Sequence, residues 1–163
     1  MSMKLIAGTA SEQLSKKLAS IKNNHLVDNE IKRFPDGEIY IRILEKIENE
    51  EITIIQTTYP DENIIELFLL LDAVKRAGSK KIKLIIPYFG YARQDKQFNK
   101  GEPISAAALA NIISNIADEV VTIDPHKEYI LDFFSIPAKS VTAIPSIVSY
   151  LKGKNIDLVL APD

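Results

Sequence analysis

The richest chemistry in this sequence lies in one run: Tyr88-Phe89-Gly90-Tyr91-Ala92-Arg93-Gln94-Asp95-Lys96-Gln97-Phe98-Asn99-Lys100-Gly101. Three cations (Arg93, Lys96 and Lys100) face one anion, Asp95. An arginine presents a planar fork that matches phosphate oxygens, a glutamine both donates and accepts, and an aromatic ring offers a face on which a base can stack. Tyr88, Phe89, Tyr91 and Phe98 cluster here but are interrupted by polar residues, which fits a core poorly. At about 14 residues the run exceeds an ordinary connection, and long ordered loops are commonly functional. The plainer alternative is a solvated connection whose rings anchor it to the fold.

Three further candidates are shorter. Arg33-Phe34-Pro35-Asp36-Gly37-Glu38 contains a Pro-Asp-Gly turn signal, so a simple hairpin accounts for much of it. What a hairpin leaves unexplained is Phe34 beside two carboxylates, Asp36 and Glu38, a set that could meet a purine ring and its exocyclic amine. Thr122-Ile123-Asp124-Pro125-His126-Lys127 ends a strand-like run; an Asp-x-His pair can hold a metal or a phosphate, while a lone strand-end histidine can equally be a cap. Asp163 ends another strand-like run and is the fourth candidate.

The elements that must position these residues follow from hydrophobic periodicity. Strands are expected at Lys4–Ala7, Glu38–Leu44, Glu51–Gln56, Lys81–Pro87, Glu119–Ile123, Val141–Ile144 and Asp157–Ala161. Ile39, Ile41 and Ile43 alternate with Tyr40 and Arg42, as in a half-exposed antiparallel strand, whereas Ile52–Ile55 and Ile82–Ile86 are dense enough for central strands covered on both faces. Helices are expected after a Ser11 cap, from Asp61 to a basic end at Lys75-Arg76 before Gly78, and from Pro103 through the Leu109, Ile112, Ile113, Ile116 stripe. Strand and helix alternate, which predicts an α/β fold with a mainly parallel sheet flanked by helices. The window Ile64–Val74 is apolar nearly all round except at Glu66 and Asp72, so it is either sandwiched inside the domain or shared with a second subunit.

Composition narrows the function. The 163 residues carry 20 Lys+Arg against 22 Asp+Glu, a net charge of −2, which argues against a polyanion-coating role and predicts no nucleic-acid partner. With no cysteine and two histidines, thiolate chemistry and a multi-histidine zinc site are excluded. The G-x-x-x-x-G-K-[ST] and G-x-G-x-x-G phosphate loops are both absent, so any nucleotide is held another way. The N-terminus does not read as a signal peptide and no run is long and apolar enough to span a bilayer, so a cytoplasmic protein without a membrane partner is expected.

Taken in order, the Arg33–Glu38 turn, the Tyr88–Asp95 run with Gly101-Glu102-Pro103-Ile104-Ser105-Ala106, Asp124-Pro125-His126, Phe133-Phe134-Ser135-Ile136-Pro137 and Ala161-Pro162-Asp163 resemble the ribose-phosphate pyrophosphokinases, or PRPP synthetases. The resemblance implies a type I phosphoribosyltransferase-like domain over residues 1–145, the start of a second domain at 146–163, and a parent enzyme that transfers pyrophosphoryl from Mg-ATP to ribose 5-phosphate, giving PRPP and AMP. It implies ATP contacts from Arg93, Gln94 and Asp95, and adenine contacts from Phe34, Asp36, Gly37 and Glu38 of a neighbouring subunit in a homo-oligomer. It assigns His126 and Asp163 to Mg²⁺ and the phosphates or ribose, and leaves the catalytic lysine beyond Asp163. Ser135 and Lys139 stand where some members carry acidic residues. Two other readings compete: a non-catalytic nucleotide-binding partner of a complete synthetase, and a receiver-type signalling domain, which lacks its acidic cluster after the first strand.

Overall fold

Dense β-branched runs and amphipathic stretches alternate along the chain, and the structure resolves them into one layered α/β unit. It is a computed structural model and describes residues 2–21, 23–155, 158 and 160. The strands are β1 (Lys4–Ala7), β2 (His25–Leu26), β3 (Asn29–Arg33), β4 (Ile39–Ile43), β5 (Glu51–Ile55), β6 (Lys81–Ile86), β7 (Glu119–Ile123) and β8 (Ala138–Val141). The helices are α1 (Glu12–Ser20), α2 (Asp61–Arg76), α3 (Ser105–Ser114) and α4 (Ile144–Leu151). Six strands form a parallel sheet in the order β2-β1-β5-β6-β7-β8, and β3 with β4 forms a separate antiparallel hairpin.

The crossovers β5-α2-β6-α3-β7 all step in one direction across the sheet, so right-handed connections place α2 and α3 on one face; β1-α1-β2 steps the other way and places α1 opposite. Beneath α2 and α3 lies the core: Ile6, Ile52, Ile54, Leu84, Ile86 and Val120 meet Leu67, Leu70, Leu71, Ala110 and Ile113, all at most 1% exposed. Acidic Asp61 and Glu62 open α2 and basic Lys75 and Arg76 close it, in line with the helix dipole, and Gly78 takes φ +83° just past the end.

The expected strands and helices mostly stand where periodicity put them, with informative exceptions. β5 is buried on both faces, but β6 alternates: Ile82, Leu84 and Ile86 are buried, while Lys81, Lys83 and Ile85 are half-exposed because α1 covers the other end of the sheet. The last strand of the sheet pairs three residues earlier than expected, with Val120 opposite Ala138; weak strand formers Ala-Lys-Ser carry it, and Pro145 then sits in the first turn of α4 where its missing N–H is harmless. β3 is polar in sequence and is held by its register with β4, which sets Ile31 opposite Ile41. Ser11 makes no side-chain cap for α1; its hydroxyl instead accepts from the Thr57 N–H at 3.1 Å. Pro60 rather than Asp61 caps α2, and α3 begins at Ser105. In α2, Leu67, Leu70, Leu71 and Val74 are buried, Ile64 and Phe68 are half-buried, and Ile65 and Leu69 face solvent. The expected 145/146 boundary falls within α4, and the Asp157–Ala161 strand falls largely outside the described residues. Among the described residues no helix is long and apolar enough to cross a membrane.

Candidate functional site

The long run leaves the carboxyl end of β6 and is pinned at once to the loop that follows β5. The Thr58 N–H donates to the Tyr88 carbonyl at 3.1 Å, and the Gly90 N–H donates to the Thr58 hydroxyl at 2.7 Å. A Cβ at position 90 would lie 2.4 Å from the Thr58 carbonyl oxygen, so this approach requires glycine. Tyr91 then adopts φ +63°, a left-handed conformation uncommon for a bulky residue, and its hydroxyl donates to Asp61 at the start of α2 at 2.7 Å. That carboxylate disfavours the phenolate and raises the Tyr91 pKa.

Beyond this turn the chain displays Arg93 and clamps its neighbours. The Gln94 carbonyl accepts from Ala106 N–H at 3.2 Å, and its side-chain oxygen accepts the Ser105 hydroxyl from the first residue of α3. This leaves the Gln94 amide as a donor. Asp95 is buried and accepts the Tyr129 hydroxyl, which holds its carboxyl below the usual range; the charges of His126 and Lys96 act in the same direction. Further along, Glu102 accepts from the Phe98 N–H at 3.0 Å and from the Asn99 N–H at 2.9 Å, which closes the loop on itself. Of the clustered rings, Phe89 is core, packing at 5.6 Å on Phe134, while Tyr88, Tyr91 and Phe98 are exposed. Phe89 thus anchors the run to the fold, while the other three rings stay open to solvent.

The segment after β7 reaches the same edge. Asp124 has φ +40°, and its carboxylate caps the turn into α4 by accepting the Ala143 N–H at 2.9 Å, which lowers its pKa. Asp124 therefore has a structural partner in the chain itself. His126 is exposed rather than a buried cap. Asp163 lies outside the described residues. Among the described residues no three or more His, Asp or Glu side chains converge as a metal cage.

The turn from Arg33 to Glu38 is a hairpin end, as its Pro-Asp-Gly signal requires. Gly37 takes φ +94°, its N–H donates to the Phe34 carbonyl at 2.9 Å, and Asp36 receives the Glu38 N–H at 3.1 Å. Phe34 packs edge-on against Tyr40 at 5.7 Å and remains 45% exposed, with Asp36 and Glu38 exposed beside it. Arg33 ties the hairpin to Glu62, next to the Asp61 that holds Tyr91, so the first turn of α2 braces both segments. Concavities of about 340 Å³ beside Gly8 and Asp28, and about 570 Å³ among Lys4, Lys80 and Glu119, include none of Phe34, Arg93, Gln94 and His126 in their walls.

One buried cluster was not sought by motif. Glu66, almost fully buried on α2, accepts the Thr9 N–H at 2.7 Å, the Thr9 hydroxyl at 2.6 Å and the Gln56 amide at 2.7 Å. It locks the ends of β1 and β5 to α2 beneath the site. The signal was available: Glu66 is an acid on an otherwise apolar helix face, and a buried carboxylate needs donors.

Residues 3–116 match the family model described as the N-terminal domain of ribose phosphate pyrophosphokinase. The chain belongs to the ribose-phosphate pyrophosphokinase family. It is 44% identical to the ribose-phosphate pyrophosphokinase of Methanobrevibacter smithii over 165 residues, covering 98% of this chain and 55% of that protein. It is likewise 44% identical to the enzyme of Methanosarcina mazei over 163 residues, covering 99% of this chain and 54% of that one. The crystal structure of phosphoribosylpyrophosphate synthetase from Mycobacterium smegmatis superposes with a TM-score of 0.83 at 28% identity, over 93% of this chain and 52% of that one. The chain thus spans about half the length of the relatives it matches, and its parallel sheet with flanking helices is the phosphoribosyltransferase-like fold expected from the sequence.

Proposed function

We propose that this chain provides the nucleotide-holding half of a ribose-phosphate pyrophosphokinase that acts on ATP and ribose 5-phosphate. The observation that carries the reading is the displayed Arg93-Gln94 turn, held on clamped backbone at the same sheet edge as exposed His126, in a chain of this family. In the reaction the anomeric hydroxyl oxygen of ribose 5-phosphate attacks the β-phosphorus of ATP. The bond from that phosphorus to the oxygen bridging the α-phosphate breaks, AMP leaves with the bond electrons, and the hydroxyl proton is released.

Arg93 spreads its guanidinium over phosphate oxygens, where charge builds up during transfer. The Gln94 amide donates beside it, while Asp95 supports the turn from below. Phe34 stacks on the adenine of a neighbouring subunit in a homo-oligomer, and the Asp36–Glu38 turn meets the exocyclic amine; the exposure of Phe34, Asp36 and Glu38 at the hairpin tip supports such a shared site. The donor set suits a Mg²⁺ ion that arrives on phosphate oxygens and takes only one or two protein ligands, His126 and Asp163, rather than one caged by the protein. When bound, Mg²⁺ supplies charge neutralisation of the polyphosphate.

Two experiments test the reading. The full-length protein should release AMP and form PRPP from Mg-ATP and ribose 5-phosphate, and residues 1–163 alone should not, because they contain no Asp-Asp-x-x-x-[ST]-Gly-Gly-Thr segment to seat the acceptor's phosphate. For the shared site, mixed oligomers of Phe34→Ala and Arg93→Ala subunits should regain intact sites that neither variant has alone. Mixtures no better than the two parents would confine the site to one subunit, and absence of any Mg-ATP binding by the full-length protein would refute the nucleotide reading.

A further inference from the structure

No motif contains Tyr129, and the nucleotide reading gives it no role. It lies three residues after His126, on the 3-10 segment Glu128–Phe133 between β7 and β8. Its ring is exposed on one side and packs edge-on against Phe133, with centroids 6.2 Å apart. The segment beneath it is fixed: Ile130 is fully buried, and Phe134 packs on Phe89 from the long loop. From this rigid base the Tyr129 hydroxyl donates to Oδ2 of Asp95.

Asp95 is the buried charged residue of the run. It is 8% exposed, while Arg93 and Lys96 on either side lie at the surface. A carboxylate withdrawn from water must be met by donors or return to solvent. Gln94 is held from the opposite side by the Ser105 hydroxyl of α3. The Arg93-Gln94 turn therefore hangs between two hydroxyl clamps, one on α3 and the other on the segment that follows His126.

We propose that Tyr129 is a positioning residue of the nucleotide site, acting through Asp95 to fix the Arg93-Gln94 turn against the turn that bears His126. The proposal rests on the nucleotide reading of this edge and adds a residue to it. With the hydroxyl in place, the two turns are ordered before nucleotide arrives, so binding does not have to order them. Without it, Asp95 rehydrates and the loop loosens from the β7 side, while Ser105 still holds Gln94.

The test is Tyr129→Phe in the full-length protein, because phenylalanine keeps the edge-on packing on Phe133 and removes only the donor. The Kd for Mg-ATP should rise on the order of tenfold, with the KM for ribose 5-phosphate and the melting temperature near wild type. Asp95→Asn, which keeps an acceptor oxygen, should retain most of the affinity, and Tyr129→Phe should add little to Asp95→Ala. Amide exchange at residues 91–96, measured without nucleotide, should accelerate in Tyr129→Phe. Unchanged loop exchange together with wild-type Mg-ATP affinity would overturn the proposal, as would a lowered melting temperature with both of those unmoved, since Tyr129 would then only pack. If the wild-type protein binds no Mg-ATP, the nucleotide reading fails with its positioning role, and the exchange measurement still reports whether Tyr129 braces the loop.

Discussion

The two ends of the parallel sheet treat charge in opposite ways. At the amino end, charges are spent on one another: Lys4 pairs with Glu50 at 3.1 Å, and Glu119 gathers Lys83 at 3.2 Å with Lys81 and Lys139 at 3.3 Å. Asp118 receives the Ile82 N–H at 2.7 Å. Burial pushes the Glu119 pKa up, but the three ammonium groups outweigh it and hold the carboxyl at about 2. At the carboxyl end, acids serve as braces, Asp61 for Tyr91, Asp95 for Tyr129 and Asp124 for Ala143, while Arg93 and His126 face outward. The backbone differs too. Tyr91 and Asp124, neither of them glycine or asparagine, take positive φ at the carboxyl end, a strain that persists where the surroundings over-determine it. At one end acids gather lysines; at the other they receive hydroxyl and amide donors.

The sharpest way to break this contrast is Arg93→Ala. It should weaken Mg-ATP binding roughly tenfold to a hundredfold, the loss of a charge-assisted phosphate contact, while Lys100→Ala changes it by less than about threefold. Calorimetric titration of the assembled protein measures both, and equal effects would make the loop a diffuse cationic surface. Next in size, Gly90→Ala drives a Cβ into the Thr58 carbonyl oxygen and should remove about 1–3 kcal/mol of stability. Denaturant unfolding reads that loss, and nucleotide affinity should fall with it because the same loop carries Arg93.

Glu119→Gln tests the other end. The folded pKa lies below the ordinary 4.5, so the carboxylate's stabilisation is present above about pH 4.5 and is lost as pH falls toward about 2. Partly exposed lysines screen the cluster, so the substitution should cost about 1–2 kcal/mol at neutral pH, flatten the acid limb of the unfolding profile and leave Mg-ATP affinity unchanged. A nucleotide defect in this variant would erase the distinction between the ends. The smallest effect is spectroscopic: Tyr91 and Tyr129, each facing a carboxylate, should ionise above pH 10, and Tyr91→Phe should remove one late-titrating phenol from the absorbance titration.

Legibility in the sequence followed the physics of each element. Central strands such as Ile52–Ile55 announce themselves because burial on both faces admits only apolar residues. Asn29–Arg33 does not, since its pairing with β4 comes from tertiary register rather than its own composition. In the candidate site, exposed Phe34, Arg93 and His126 and half-buried Gln94 stand out by type and spacing. Their supports, Tyr129, Ser105, Thr58 and Glu66, do not, because a single hydroxyl or acid acquires its role only when folding brings a partner from far along the chain. Lys83 reads as a core-strand residue, but it lies on the β6 face turned away from buried Leu84 and Ile86 and is half-exposed beside Glu119.

The separation of the β3–β4 hairpin from the main sheet also has a kinetic consequence. Its strands are joined by one tight turn, whereas β1, β5, β6 and β7 can pair only after long crossovers have closed. Hairpins form in roughly 1–10 μs, and parallel pairings wait on the entropy of loop closure. During refolding, the tip bearing Phe34 can therefore acquire its shape well before the edge bearing Arg93 exists. A chain caught partway would present a finished hairpin tip while the turn that carries Arg93 had yet to form.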